Sequence, residues 1–314
     1  MAGPGPSADQ GDATAAPRRL VVYNTGFLTE PRIRRILDLS GWRVSVGVPG
    51  PADAVGVWGQ SPTSGRGEIV ANLTERCVVR VEDAFLRSLF PGRSGEPTLG
   101  LLIDGTGVHF DASRPSDLET LLSTHPLDDT ALLDRARAAS AWMVERHLTK
   151  FAATDPAEPV PDAPYVLVID QTEGDASVRA SGATRATYLD MLVEARLNHP
   201  GVPVVVKAHP ETALGQRSGH FDEGDLREGD VLLRSPVSPT RLFEGAVAVY
   251  AVSSGLGFEA IYHGHRPRVF GTPFYAGWGL TDDHLPVPRR TRKLSRAQLF
   301  LGAMILYPTW YDPF

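Results

Sequence analysis

Short apolar runs alternate with polar and helix-forming segments along the first half of the chain. The runs cover residues 20–23, 44–48, 54–58, 77–81 and 99–103. Continuous apolar runs of this length are typical of strands buried on both faces, and helical segments such as 32–39 lie between them. The pattern therefore predicts a mostly parallel sheet with helices on its faces.

A second series of the same kind follows. Strands are predicted at 165–169, 202–207, 231–234, 246–252 and 268–270, and helices at 185–197, 239–245 and 257–263. A helix predicted at 127–150 joins the two series, and the segment 154–164 after it contains Pro156, Pro159, Pro161 and Pro164. Proline cannot continue a helix, so this segment predicts a linker between two α/β domains that enclose a cleft.

The predicted boundaries follow from these patterns. Residues 1–18 are expected to form a disordered tail, 19–153 the first domain, 154–164 the linker and 165–290 the second domain. Residues 291–314 contain a helix predicted at 295–306, which is expected to pack back on the first domain.

Composition and charge narrow the class of protein. The chain is 42% hydrophobic and 22% charged, with a formal net charge of −6, which is typical of a soluble globular protein and argues against nucleic-acid binding. Cys77 is the one cysteine, so no internal disulfide can form and a reducing compartment is expected. No apolar run is long enough to cross a membrane, and no signal sequence is evident. A cytoplasmic location is predicted.

A Ser/Gly turn separates the predicted strand 246–252 from the helix that follows it. Ser253, Ser254 and Gly255 would present hydroxyls and free N–H groups at a helix N-terminus, an arrangement that favours a phosphate. The alternative is that the serines only cap the helix. The loop 271–281 that follows combines aromatic residues with several glycines, which capping does not require. The two segments together predict a phosphate site beside a sugar pocket.

Lys207, His209 and Pro210 follow another predicted strand of the second domain. Open α/β sheets bind ligands at the carboxyl ends of their strands, where these residues would lie beside the Ser/Gly turn. A lysine and a histidine there could bind or protonate a leaving phosphate. The alternative is a merely exposed histidine.

Acidic and amide residues occupy similar positions. Glu82 and Asp83 follow the strand 77–81, and Gln171, Asp175 and Ser177 follow the strand 165–169. Adjacent carboxylates on a strand point to opposite faces, so one of Glu82 and Asp83 can face the cleft. The alternatives are an acid pair at a helix start and a polar turn.

No metal site or cofactor is predicted. The carboxylate pairs 128–129 and 282–283 lack further oxygen ligands nearby, and no glycine loop ends in Gly-Lys-Ser/Thr. We therefore expect the phosphate site to hold a nucleotide leaving group with protein donors alone.

With these residues assembled, the chain resembles the capsule-polysaccharide β-Kdo glycosyltransferases, the KpsC-like and KpsS-like proteins of Gram-negative bacteria. The resemblance spans roughly residues 55–283, and its most specific part is the block Pro-Phe-Tyr-Ala-Gly-Trp-Gly at 273–279. The other matching blocks lie at 58–59, 81–88, 103–111, 114–119, 171–177, 207–210 and 253–260.

The resemblance implies a GT-B-like fold of two Rossmann-like domains facing each other across a cleft, with 19–153 on the acceptor side and 165–290 binding the nucleotide sugar. It implies transfer of Kdo from CMP-Kdo, with retention, to a lipid-linked or oligosaccharide acceptor in capsule biosynthesis. Capsule biosynthesis proteins are then expected partners. A lipid-linked acceptor would bring the enzyme to the inner membrane, where the basic cluster 289–293 is a candidate contact. The alternative is an ordinary solvated charge run.

Retention at the anomeric carbon can proceed by two displacements, with one carboxylate as nucleophile and a second as acid/base. Our hypothesis for this family member assigns Asp175 as nucleophile and Glu82 as acid/base, with Asp83 in reserve. The predicted donor-binding residues are Lys207, His209, Pro210, Ser253, Ser254, Gly255, Glu259, Gln171 and Ser177. The predicted sugar or acceptor pocket comprises Arg87, Phe274, Tyr275 and Trp278.

Some features depart from the family pattern. Ala84 stands where the family usually has Gly, and His109-Phe110 where it usually has Tyr-Tyr, so acceptor contacts there are expected to differ. One module is present, whereas KpsC-like proteins often carry two, so one linkage or a separate partner enzyme is expected. Two alternatives stay open: another CMP-sugar transferase, such as a sialyl-type enzyme, and a non-catalytic glycan-binding subunit of a capsule assembly complex.

Overall fold

The structure is a computed structural model that describes residues 17–312. Residues 1–16 of the predicted tail therefore lie outside the described residues, as do 313–314 at the other end. Arg18, which the prediction placed in the tail, already belongs to the first strand.

The first sheet has six strands in the order β12-β5-β4-β3-β1-β2. β1 to β4 pair in parallel, whereas β5 runs antiparallel to β4 and β12 antiparallel to β5. The strands are β1 (Arg18–Val22), β2 (Trp42–Ser45), β3 (Ala54–Trp58), β4 (Val78–Asp83), β5 (Gly100–Asp104) and β12 (Thr309–Trp310). The mostly parallel first sheet that the apolar runs predict is confirmed.

The second sheet also has six strands, in the order β11-β10-β9-β6-β7-β8, and every pair in it is parallel. Its strands are β6 (Tyr165–Ile169), β7 (Val204–Lys207), β8 (Val231–Leu233), β9 (Ala246–Ala251), β10 (Arg268–Val269) and β11 (Asp282–Asp283). Every residue of β6 is buried, as expected for the central strand of a sheet covered on both faces.

Helices connect the strands of both sheets. In the first part of the chain they are α1 (Gly26–Thr29), α2 (Pro31–Leu39), α3 (Ser64–Thr74), α4 (Asp117–Thr124) and α5 (Thr130–Glu145). In the second part they are α6 (Ala176–Ala180), α7 (Arg185–Asn198), α8 (Pro210–Ala213), α9 (Pro239–Gly245), α10 (Gly255–Tyr262) and α11 (Arg296–Phe300).

The helix predicted at 127–150 is shorter than expected. α5 begins after Asp129, whose side chain accepts a hydrogen bond from Leu132 N, and ends at Glu145. Leu127 and His147 have φ angles of 52° and 55°, in the left-handed region that a right-handed helix excludes. The chain therefore turns at His147, and residues 148–151 leave the helix axis.

The run at 44–48 is also shorter as a strand than predicted. β2 ends at Ser45, and the side chains of Val46 and Val48 are 62% and 79% exposed. β2 is an edge strand of the first sheet, so no neighbour on its outer side extends the pairing.

The end of the described chain returns to the first sheet. α11 and the π-helical turn Leu301–Leu306 pack against α5, and β12 then pairs with β5. An apolar core joins the two parts of the molecule, with Leu122 of α4 and Met143 of α5 in the same cluster as Phe258 of α10 and Phe300 of α11. The boundaries of the predicted domains stay a prediction.

Candidate active site

A cavity of about 440 Å³ is lined by residues from both parts of the chain. The first part contributes the end of β4, His109 and the segment after α5. The second part contributes the carboxyl ends of β6, β7 and β9 and the start of α10. Parallel strands place their carboxyl ends at one edge of a sheet, which is why polar residues distant in sequence meet here.

The Ser/Gly turn lies at the N-terminus of α10. Ser254 is the N-cap residue, and its hydroxyl accepts a hydrogen bond of 3.3 Å from Leu256 N. Gly255 N makes no hydrogen bond within residues 17–312. The positive end of the helix dipole and a free N–H group therefore face the cavity, so the turn can hold an anion although Ser254 also caps the helix.

The aromatic block 273–279 packs against this turn on the side away from the cavity. The Tyr275 hydroxyl donates a hydrogen bond of 2.7 Å to Ser254 O. A Cβ atom at Gly257 would lie 2.1 Å from that hydroxyl, so only glycine lets the ring pack against the first turn of α10. The two segments that the sequence analysis linked are thus in direct contact.

Gln171 ties the strand ends of the second sheet together. Its Oε1 accepts hydrogen bonds from Ser253 N at 2.9 Å and from the Tyr188 hydroxyl at 3.1 Å. Its Nε2 donates to the hydroxyls of Ser177 and Ser253, each at 3.2 Å. Because it is 5% exposed and fully engaged, Gln171 holds the two serines in place.

Asp175 caps α6 at the edge of the cavity. Its Oδ1 accepts hydrogen bonds of 2.8 Å from Ser177 N and 2.6 Å from the Ser177 hydroxyl. Burial alone would raise its pKa, but these hydrogen bonds and the charges of Lys150 and His209 outweigh burial and hold the pKa of Asp175 below its usual value. Asp175 is therefore ionised at neutral pH.

Glu82 and Asp83 have different environments. Burial, with the charges of Asp83 and Asp175, raises the pKa of Glu82 to about 8. Asp83 Oδ2 instead accepts a hydrogen bond of 2.6 Å from Arg87 Nε. Glu82 is thus a carboxyl group that can exchange a proton near neutral pH, whereas Asp83 is held in an ion pair.

Lys207, His209 and Pro210 all line the cavity. Lys207 Nζ donates a hydrogen bond of 3.2 Å to Ser235 O, and burial lowers its pKa to about 8. His209 Nδ1 accepts from Glu211 N at 3.1 Å, so the neutral ring carries its proton on Nε2 and can donate there. Burial, with the charge of Lys150, lowers the pKa of His209 to about 4.

Glu259 joins the two parts of the site. Its Oε1 accepts hydrogen bonds of 2.8 Å from the Thr149 hydroxyl and 3.1 Å from Lys150 N. Burial raises the pKa of Glu259 to about 7, against the effect of these hydrogen bonds. The residue lines the cavity, as a donor-binding residue must, and it also fixes the backbone at Lys150.

Lys150 is a site residue that the sequence analysis missed. Its side chain lines the cavity, and its ammonium makes no hydrogen bond or ion pair within residues 17–312. Its charge lowers the pKa values of Glu82, Asp175 and His209. The sequence placed it at the end of a helix, and no local signal showed that the chain turns at His147 and carries it into the cavity.

Aromatic side chains form one wall of the cavity. Phe274 stacks on Phe85 with ring centroids 4.3 Å apart, and His109 lies edge-on to Phe85 at 5.0 Å. His109 Nδ1 is buried without a hydrogen-bond partner in the described part of the chain, and burial lowers the pKa of this histidine to about 3. A neutral imidazole therefore lines the cavity at the position where the sequence departs from the family pattern.

Three residues of the predicted sugar pocket are corrected. Arg87, Tyr275 and Trp278 do not line the cavity. Arg87 is bound to Asp83, to the Ser88 hydroxyl and to Glu96 O. Tyr275 and Trp278 are fully buried, and Trp278 Nε1 donates to Phe274 O at 2.7 Å. These side chains support the wall from behind, and Phe274 alone of the predicted set reaches the cavity.

The three arginines of the basic cluster 289–293 make hydrogen bonds within the chain. Arg289 and Arg290 both bind the carboxylate of Glu119 on α4, and Arg292 donates to backbone carbonyl groups at the end of the same helix. These arginines tie the second part of the chain to the first, whereas Lys293 is exposed; the membrane contact of this cluster stays a prediction.

Residues 17–312 contain neither a candidate metal site nor a helix suited to span a membrane. The His, Cys, Asp and Glu residues there form no group of three or more with the geometry of a metal site. The helices there also include none with the length and hydropathy of a membrane span.

Known proteins resemble this chain in sequence and in structure. A family model described as capsule polysaccharide biosynthesis protein matches residues 136–309. The lipopolysaccharide-processing protein LpsZ of Rhizobium meliloti is 39% identical over 236 residues, which are 74% of this chain and 54% of LpsZ. The chain spans about half or less of the length of the curated relatives it matches.

Two solved structures from Thermosulfurimonas dismutans have the same overall fold. The KpsC β-Kdo 2,4 transferase superposes with a TM-score of 0.88 and 31% identity over 96% of this chain and 95% of that one. The KpsC β-Kdo 2,7 transferase gives a TM-score of 0.69 and 27% identity over 95% and 93%. These likenesses, with the two sheets, confirm the predicted α/β, GT-B-like two-domain fold. The resemblance inferred from the sequence motifs is confirmed as well, and the chain belongs to the capsule polysaccharide biosynthesis protein family.

Proposed function

We propose that this chain is a retaining β-Kdo glycosyltransferase that transfers Kdo from CMP-Kdo to a lipid-linked or oligosaccharide acceptor during capsule biosynthesis. The observation that carries the proposal is the link from Asp175 through Ser177 to Ser253, because it joins an ionised carboxylate to the anion-binding turn. The likeness to the KpsC transferases supports Kdo as the sugar. A lipid-linked acceptor would bring the enzyme to the cytoplasmic surface of the inner membrane.

The donor would be held by charge and by hydrogen bonds, without a metal. The phosphate of CMP-Kdo would accept from Ser253 and from the N–H groups at the start of α10, with His209 and Lys207 nearby. Kdo also carries a carboxylate beside its anomeric carbon. Lys150 Nζ lies 5.5 Å from the centroid of the Phe151 ring and makes no hydrogen bond or ion pair with the described residues, so we assign it to that carboxylate.

Retention would follow from two displacements. In the first, a carboxylate oxygen of Asp175 attacks the anomeric carbon, the new C–O bond forms, and the bond to the phosphate breaks. The electron pair leaves with CMP, whose charge the turn at Ser253 stabilises. Asp175 is suited to this step because its lowered pKa keeps it ionised.

The second displacement returns Asp175 to its starting state. An acceptor hydroxyl attacks the anomeric carbon, Glu82 takes the hydroxyl proton, and the bond to Asp175 breaks with its electron pair on the carboxylate. A carboxylate with a pKa of about 8 is a far stronger base than an ordinary one. Asp83 is less suited, because Arg87 holds it.

We further propose that the linkage made is β-(2→4). The chain is more similar to the 2,4 transferase, with a TM-score of 0.88, than to the 2,7 transferase, with 0.69.

The test is a transfer assay with CMP-Kdo, generated in place by a synthetase, and a synthetic Kdo-bearing glycolipid. We expect a mass gain of one Kdo on the acceptor and a β-(2→4) linkage by NMR. Asp175→Asn should abolish transfer and keep CMP binding, whereas Asp190→Asn, on the exposed face of α7, should leave both unchanged. Transfer of a different sugar from its CMP donor, or binding without transfer by the unmodified protein, would support the alternative transferase or the non-catalytic subunit.

A further inference from the structure

A second cavity, of about 250 Å³, lies beside the first sheet and shares no lining residue with the candidate active site. It opens at the carboxyl ends of β1 and β3, which pair in parallel. From β1 the chain runs to β2 on one side and then to β3 on the other, so this is the point where the strand order reverses. Ligands of open α/β sheets bind in crevices at such reversal points.

Its lining combines aromatic rings with hydrogen-bonding side chains. Tyr23 and Trp58 supply apolar surface, and Phe27 packs behind Trp58 with ring centroids 5.8 Å apart. The Ser61 and Thr63 hydroxyls lie 3.1 Å apart at the opening. Aromatic surface with a few oriented polar groups suits a sugar ring, which has an apolar face and a rim of hydroxyls.

One polar atom of Asn24, a residue that lines this cavity, lacks a partner. Asn24 Nδ2 donates to the Thr63 hydroxyl, which fixes the orientation of the amide. Asn24 Oδ1 is then buried without a hydrogen-bond partner in the described part of the chain. A buried carbonyl oxygen without a donor is unfavourable, and a ligand hydroxyl would satisfy it.

The residues around the cavity also favour binding of a negatively charged ligand. Arg66, on the first turn of α3, is exposed at its edge and makes no hydrogen bond or ion pair with residues 17–312. No aspartate or glutamate of the described chain lines it. Thr63, the N-cap residue of α3, forms no capping hydrogen bond with its side chain, although Ser64 N donates to Ser61 O at 3.0 Å. A guanidinium group binds carboxylate or phosphate with two hydrogen bonds.

A single glycine separates this cavity from Glu82. Gly59 follows Trp58 and has a φ angle of 41°, and a Cβ atom there would lie 1.6 Å from Glu82 Oε1. The carboxyl group of Glu82 therefore lies against the backbone that carries Trp58. A ligand whose hydroxyl meets Glu82 can extend over Gly59 into the cavity between β1 and β3.

We propose that this cavity is an acceptor subsite that binds an anionic unit, either a sugar with a carboxylate or a phosphate, next to the sugar that receives Kdo. The proposal rests on the proposed function. Arg66 binds the carboxylate or phosphate of that unit, and Asn24 Oδ1 accepts one of its hydroxyls. The subsite makes the enzyme sensitive to acceptor length and charge.

The test compares synthetic alkyl glycosides as probes. One carries two Kdo units, one a single Kdo, and one a single Kdo on an alkyl phosphate. Arg66→Gln should raise the KM for the acceptor that uses the subsite about tenfold, as expected for loss of a charged hydrogen bond. An effect on the two-Kdo probe identifies the sugar carboxylate as the recognised group, and an effect on the phosphate probe identifies the phosphate. Arg43→Gln, at an exposed arginine of the edge strand β2, is the matched control.

A second variant and a second readout separate the subsite from the proposed function. Asn24→Asp places a negative charge in the cavity and should weaken the same probe at least as much, while CMP affinity stays unchanged in both variants. Calorimetric titration of the probes without donor measures the subsite directly, even if the unmodified protein transfers no Kdo. The proposal would be overturned if, for every probe, Arg66→Gln and Asn24→Asp had the same KM and the same affinity as the control Arg43→Gln.

Discussion

The hydroxyl of Ser177 lies 2.9 Å from the hydroxyl of Ser253 and donates a hydrogen bond of 2.6 Å to Asp175 Oδ1. The single hydroxyl hydrogen of Ser177 is used on Asp175, so a hydrogen bond between the two hydroxyls requires the hydrogen of Ser253, which Gln171 Oε1 can also accept at 3.3 Å. A ligand phosphate at Ser253 would therefore be coupled to the proposed nucleophile through one side chain. This coupling gives Ser177 a role beyond capping α6.

We expect Ser177→Ala to slow transfer about tenfold to a hundredfold. The change removes one hydrogen bond to an ionised carboxylate, worth about 1.5–3 kcal/mol, and leaves the one from the backbone of residue 177. Single-turnover kinetics with CMP-Kdo measures the effect. Ser140→Ala, whose hydroxyl bonds only to Arg137 O on α5, serves as the control. Equal rates for the two variants would show that the hydroxyl does not act through Asp175.

Lys150→Gln should weaken binding of CMP-Kdo and leave the affinity for CMP nearly unchanged. The carboxylate that we assign to Lys150 belongs to the sugar and is absent from CMP. A loss of about tenfold or more in kcat/KM is expected for a charged hydrogen bond. Titration with CMP and with CMP-Kdo measures the two affinities. Lys293→Gln, which changes an exposed lysine outside the cavity, is the control. Parallel losses for CMP and CMP-Kdo would instead assign Lys150 to the phosphate.

The rate of transfer should rise with pH as Glu82 ionises. Its pKa of about 8 means that the basic form is a minority at pH 7 and the majority above pH 8. If Glu82 is a general base, the rate of the native enzyme should rise through about pH 8. The rate of Glu82→Gln should be at least about a hundredfold lower and should not change with pH in this range. A rate that falls through the same range would make Glu82 an acid in the slow step.

The same carboxyl group should make the protein less stable as pH rises. The ordinary pKa of a glutamate is 4.5, whereas the pKa of Glu82 is about 8 in the folded protein, so the unfolded chain ionises first. Between these values stability falls with increasing pH, and above about pH 8 the loss is complete. The melting temperature of Glu82→Gln relative to that of the native protein should therefore increase from pH 5 to pH 8. Above pH 8 this difference should stay constant. A constant difference from pH 5 to pH 8 would mean that Glu82 ionises normally in the fold.

Gly257→Ala should disrupt the anion-binding turn. The added Cβ would lie 2.1 Å from the Tyr275 hydroxyl, so the ring must move and its hydrogen bond to Ser254 O is lost. We expect a lower melting temperature and weaker CMP binding. Gly65→Ala on α3, where a Cβ meets nothing within 4 Å, should be neutral or slightly stabilising. Normal CMP affinity in Gly257→Ala would separate the aromatic block from the phosphate site.

Local patterns predicted most of the fold and much of the site. The strand ends after β6, β7 and β9 could be found because continuous apolar runs mark buried parallel strands, and parallel strands bring their carboxyl ends together. The turn at His147 could not be found, because a left-handed φ at a histidine is set by the packing around it. Lys150 was missed for that reason. The burial of Trp278 behind Phe274 was missed because a motif identifies residues without showing which of them face a ligand.

The most direct test of the central claim is to look for Kdo on Asp175. Glu82→Gln should still permit the first displacement and block the second, so the variant incubated with CMP-Kdo should accumulate a covalent intermediate. Intact-protein mass spectrometry should then show a gain of one Kdo, and peptide mapping should place it on Asp175. A double variant with Asp175→Asn should show no gain. Kdo on another residue, or normal transfer by Asp175→Asn alone, would contradict the account.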